Sequence, residues 1–191
     1  MKAGSLIGLF ALSLALIILN PASASAQIPG SSPSSAVSRG IRLDGIIECG
    51  EGYTSHELYD LNMTLVEVIR GEEAWKRIQE ADKSNRPAGP DKDFLLARVR
   101  LEYHARGTPG LCVHSVVPQQ FTAYSPNGED YAPSQVAPPK PELRKEMKSG
   151  DSLEGWVAFI VAKSDKAPLM FYTADPGGAV QHGGGKWFLL K

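Results

Sequence analysis

Cys49 and Cys112 are the only thiols in this chain of 191 residues, and His56, His104, His114 and His182 are its only imidazoles. Cys112 and His114 stand two residues apart, so on a strand they would share one face and begin a metal site. Only Cys49 and His56 could complete it. No Cys/His spacing typical of zinc and no His-Glu-x-x-His run is present. An even cysteine count points instead to a disulfide if the chain is exported, because that compartment is oxidising. Two separate buried thiols, acting as small hydrophobes, are the plainer alternative. Asp91, Asp93, Glu129 and Asp130 could offer oxygen ligands to calcium if their loops met, yet their spacing matches no calcium loop. The expectation is neither metal nor cofactor.

Gly150-Asp151-Ser152-Leu153 resembles the block of a large family of serine esterases and nominates Ser152 as a nucleophile. Such a serine needs a base, usually a His oriented by an Asp, and oxyanion donors around it. In that family an Asp-x-x-His follows the block late in the domain. Here only His182 lies downstream, and Ala179 stands three residues before it. A polar turn feeding the next strand is the simpler reading. The glycine-rich stretch 177–185, ending in Lys186, has the flavour of a phosphate cradle. Val180 occupies the position of its first required Gly, and Trp187 replaces the metal-binding hydroxyl. Asn62-Met63-Thr64 is a formal glycosylation sequon inside an expected strand, and no role is assigned to it.

The elements that must position these residues are mostly short strands. Leu95, Ala97, Val99, Leu101 and Tyr103 alternate with Arg98, Arg100, Glu102 and His104, the clearest period of two in the chain. Leu61, Met63 and Leu65 alternate in the same way, and the run becomes apolar on both sides through Val66, Val68 and Ile69 before Gly71 stops it. Trp75, Ile78 and Ala81 then recur at helical spacing, with Glu72 and Glu73 where a helix dipole favours negative charge. About ten residues cannot hold a helix alone. Trp75 is therefore expected to anchor a capping helix over the open end of a sandwich, or to present a partner surface if exposed.

Further strands are expected over 41–48, 111–117, 121–124, 153–161, 169–172 and 187–190, with Asn127-Gly128 as a tight turn. The run from Leu153 to Val161 is apolar on both sides and reads as a central strand. Residues 132–141, rich in proline, read as an extended connection or edge segment. Seven to eight strands and one short helix add up to an all-β antiparallel sandwich.

Lys2, the apolar run 6–19, Pro21 and Ala24-Ser25-Ala26 form the pattern of a signal peptide over 1–26, too short to span a membrane. Cleavage after Ala26 would leave Gln27 first, with no Cys there to carry a lipid and no transmembrane segment. Residues 27–40, rich in Ser, Pro and Gly, read as a flexible tether, and 41–191 as one domain. The formal net charge is −1, and no Lys/Arg cluster is interleaved with aromatics, so nucleic acid is not an expected partner.

The block Val-Ile-Arg-Gly-Glu-Glu-Ala-Trp, 68–75, resembles one carried by telokin-like, immunoglobulin-like domains of secreted bacterial proteins and lipoproteins, a domain of unknown function. The resemblance extends through Phe121, Asn127-Gly128, Tyr131, Gly150 and the run 154–159. It implies an immunoglobulin-like sandwich. The proline-rich stretch and the glycine-rich loop depart from its short loops.

With each catalytic constellation incomplete, the sequence points to an exported, non-catalytic interaction or binding module, periplasmic or extracellular, serving a protein or cell-envelope partner. A small-ligand or metal carrier using Cys49, Cys112 and His114 or the acidic loops is the alternative. A hydrolase acting through Ser152 comes third.

Overall fold

The computed structural model describes residues 27–49, 57–107, 110, 112–174, 180–182 and 185–191. Ten strands lie among them: β1 Arg42–Cys49, β2 Glu57–Arg70, β3 Lys92–Ala105, β4 His114–Val116, β5 Phe121–Tyr124, β6 Lys145–Met147, β7 Ser152–Ala162, β8 Leu169–Tyr172, β9 Val180–His182 and β10 Lys186–Leu189. One α-helix, α1 Glu72–Ala81, joins β2 to β3. The large sheet runs β7-β3-β2-β1-β9, facing a smaller sheet β10-β8-β5, with β4-β6 as a separate pair. All strand pairings are antiparallel. The architecture is the expected all-β sandwich with one short helix, compatible with an immunoglobulin-like fold.

The alternation in β3 does what its period dictates. Leu95, Ala97, Val99, Leu101 and Tyr103 are fully buried between the sheets, joined by Leu61, Met63 and Leu65 from β2 and Val157, Phe159 and Val161 from β7. Met170, Tyr172 and Phe188 of the small sheet close the core from the other side. Arg98, Arg100 and His104 face outward; Arg98 and Arg100 both pair with Glu154 of β7.

The double-sided apolar run at the end of β2 is the product of a bulge. The register shifts between Leu65 and Glu67, and the extra residue turns Val68 toward the main core and Ile69 to the outer face. There Ile69 meets Phe94, Leu96, Trp156 and Ala158, an apolar patch on an otherwise wet sheet. Helix α1 covers that patch through Ala74 and Ile78, both fully buried. The helix thus lies flat on the outside of the large sheet and does not cap the sandwich's open end. Trp75 flanks the contact, half-buried, its ring stacked on Phe94 at 5.5 Å.

Each residue of the distinctive block now has a physical task. Gly71 adopts φ 73 and ψ −135, a region that residues with a Cβ rarely enter. Glu72 and Glu73 occupy the first helical turn, and Glu73 pairs with Arg77 one turn on. Arg70 is a clasp: Nε donates to Asp93 at 3.1 Å, while Nη1 and Nη2 donate to the carbonyls of Asp165 and Ala162. It ties β2 and β3 to the turn between β7 and β8. Arg70→Ala is expected to lower unfolding free energy by about 2 kcal/mol, since a partly buried carboxylate and two carbonyls lose charged donors. Arg70→Lys should recover less than half, lacking the fork. Urea midpoints measure both, and an unchanged midpoint for Arg70→Ala would remove the clasp.

Two further elements differ from expectation. Residues 27–40 are docked onto the domain and do not hang from it. Trp187 N–H donates to Gly30 O at 2.9 Å, Val37 N–H to Trp187 O at 3.1 Å and Leu189 N–H to Val37 O at 2.8 Å, and Val37 is buried. Composition misleads here because a strand edge supplies the partners that the segment lacks on its own. The run 153–161 lies in β7, an outermost strand of its sheet. Both its faces are apolar because the core covers one side and the α1 cluster the other.

Candidate functional site

The free edges of the two sheets meet where β5 faces β7. Gln120 builds the β5 side: its amide Nε2 donates to Ser115 O and Ala174 O, and its Oε1 accepts from Val117 N–H, holding a 3-10 turn over Pro118–Gln120. After the Pro126-Asn127 turn the chain returns, and Tyr131 N–H donates to Ala123 O at 2.8 Å. The Tyr131 hydroxyl donates to Asp165 Oδ2 at 2.7 Å, and burial together with that carboxylate pushes its pKa up to about 12.

Residues 132–141 then cross to the edge of β7 as a strap. Pro133 bridges Phe159, and at the far end Trp156 N–H donates to Pro141 O at 2.8 Å while Leu143 N–H donates to Trp156 O at 3.4 Å. The close approach depends on Gly155. A Cβ there would stand 2.8 Å from Pro141 O, inside any ordinary contact. Between its ends the strap leaves a cleft of about 350 Å³, lined by Phe121, Tyr131, Pro133, Val157 and Phe159, with Arg144 among its polar groups. Glu142 at its margin lies 3.4 Å from Arg144 and 3.7 Å from Lys140. A hollow that sets apolar walls beside polar groups can bind.

The residues that sequence chemistry singles out lie elsewhere. Cys49 and Cys112 are joined as a disulfide, with Cα atoms 6.2 Å apart, within the range a bridge requires. That removes the thiolate version of the carrier alternative, because both sulfurs are already bonded. Tyr103 reaches the bridge, its hydroxyl 3.1 Å from Cys112 Sγ, and stacks on Tyr59 at 4.7 Å. Burial pushes the Tyr103 phenol up, so it remains a donor. His114 is buried with Nε2 3.0 Å from the Tyr172 hydroxyl, and burial lowers its pKa to about 4. Tyr172 is pushed up by the same cause.

Ser152 and His182 do not approach one another. They stand on β7 and β9, the two outer strands of the large sheet, roughly 19 Å apart at the usual strand spacing. Asp93 lies in β3 and is held by Arg70, and no cluster of three His, Cys, Asp or Glu suited to a metal occurs among the described residues. Lys186 points inward on β10, pushed down by burial while Asp44 pulls the other way. His56 and most of the glycine-rich loop lie outside the described residues, as does the expected signal segment 1–26.

The cleft escapes sequence reasoning because its walls come from three separated segments. Its only local sign is a proline-rich run beside a strand whose two faces are both apolar. No protein-family model, no curated protein and no solved structure matches the chain.

Proposed function

We propose that this chain is an exported, non-catalytic binding module of the telokin-like, immunoglobulin-like kind, and that the strap-covered cleft between β5 and β7 is its partner site. The observation that carries the reading is the cleft itself: about 350 Å³ of space between two sheet edges, lined by apolar and polar groups together, at the lower end of the range for ligand sites. An extended segment of a protein or cell-envelope partner suits such a site, since a strand edge offers backbone pairing and the hollow takes side chains. Export to a periplasmic or extracellular space is supported by the signal-like residues 1–26 and by the disulfide. No helix among the described residues is long and apolar enough to cross a membrane.

A photo-cross-linking amino acid at Gln135, which lines the cleft, should give a discrete adduct in cells that export the protein. The same group at His104, exposed on the wet face of the large sheet, should give none. Adducts of equal yield at both positions, or at His104 alone, would sink the assignment. If only small-molecule adducts form at Gln135, the carrier alternative takes its place.

A further inference from the structure

The strap is held in an unusual way for a segment that closes the edge of a sheet. Prolines stand at 133, 138, 139 and 141, and none carries an N–H, so the strap cannot form a continuous ladder with β7. It reaches β7 only near its ends, at Pro133 and Pro141. Its middle is held by Val136, which packs against the α1 cluster, and by hydrogen bonds from one side chain outside the strap. Asn85, from the loop after α1, donates through Nδ2 to Ala137 O at 3.1 Å and accepts from Ala137 N–H through Oδ1 at 3.0 Å. The same Nδ2 donates to Ile78 O at 2.8 Å, anchoring the pair to the last turn of α1.

Hollows flank the strap on both sides. The cleft lies toward β5, and a second groove, lined by Arg77, Asp82 and Lys140, lies toward α1. Ala132, Gln135 and Ala137 are exposed, and Val136 alone packs against the α1 cluster. A segment fixed at two ends, by one amide pair and by one packed valine, with space on either side, can open locally while the sheets stay intact.

We propose that residues 132–141 form a gate on the cleft, with Asn85 as its latch. Breaking the two Asn85–Ala137 hydrogen bonds leaves the middle of the strap held by Val136 alone; with that side chain lifted from the α1 cluster, the strap pivots near Pro133 and Pro141 and admits a partner segment beside β7. This rests on the reading of the cleft as the partner site. Prolines suit the role: a partner strand that carries N–H donors completes pairing at the β7 edge that the strap cannot.

Amide exchange followed by NMR on the whole protein tests the latch. In Asn85→Ala the Ala137 amide should exchange at least tenfold faster than in the native protein, with the amides of β3 unchanged. Asn85→Asp keeps the acceptor for Ala137 N–H and loses the donor to Ala137 O, so it should fall between. Cross-linking yield from Gln135 should rise severalfold in Asn85→Ala. An Ala137 amide already unprotected in the native protein, or unaltered by Asn85→Ala, overturns the latch. Equal acceleration in β3 also overturns it, since Asn85 would then act on global stability. Faster exchange at Ala137 with no cross-link in either protein leaves the latch standing and overturns the partner reading.

Discussion

Reduction of the Cys49–Cys112 bond is expected to lower the unfolding free energy by about 4 kcal/mol and the thermal midpoint by about 10 °C. The bridge joins residues 63 positions apart, from the end of β1 to the connection between β3 and β4. Without it the unfolded chain regains the freedom of a long loop. The folded state has little to offset that gain, because the sheet pairing around the bridge is unchanged by reduction. Urea unfolding with and without dithiothreitol measures the effect, and Cys49→Ser/Cys112→Ser should match the reduced protein and ignore the reductant. Coincident curves for the oxidised and reduced protein would mean that the bridge is energetically idle.

Acidification should weaken the fold through His114. Its folded pKa, about 4, lies below the ordinary imidazole value of 6.5, so between the two the unfolded chain binds a proton that the folded chain refuses. Stability is therefore full above about pH 6.5 and falls as the pH drops toward 4. The loss totals about 3 kcal/mol, because each tenfold difference in proton affinity is worth about 1.4 kcal/mol. The groups around the ring are the Tyr172 hydroxyl and the Tyr103 ring, neither of which titrates in that window. His114→Gln keeps a hydrogen-bonding group toward Tyr172 and removes the titration. Subtracting its profile from that of the native protein cancels the carboxylates Asp82 and Asp151, whose pKa values are lowered by backbone donors. A flat difference between pH 7 and 4.5 would show that His114 accepts its proton in place.

The strands that can be read from the chain are those whose two faces see different surroundings. β3 is the clearest case, because core lies under Leu95, Val99 and Leu101 while water meets Arg100 and His104. β7 reads as central because the helix makes its outer face apolar, and only tertiary structure tells a covered edge from a central position. The extra residue at Val66 breaks the period of β2, and a broken period looks like burial on both sides. Trp75 draws attention by size, yet Ala74 and Ile78 fill the contact, since small and branched side chains let the helix lie close to the sheet. The disulfide is legible from cysteine count. The Tyr59, Tyr103 and His114 group around it is not, because its members come from three strands with no common spacing. Nor is Asn85, a turn residue whose partner stands 52 positions away.

The clasp between residues 30–37 and β10 has a bearing on how the molecule is made. The first described segment of the chain hydrogen-bonds to the last strand, so the beginning of the domain waits for its end. Val37 cannot be buried against Phe188 until the final residues arrive. A topology with so many distant pairings folds slowly, because loop closure precedes the contacts that reward it. The bonds that hold residues 30–37 are therefore among the last the chain can make.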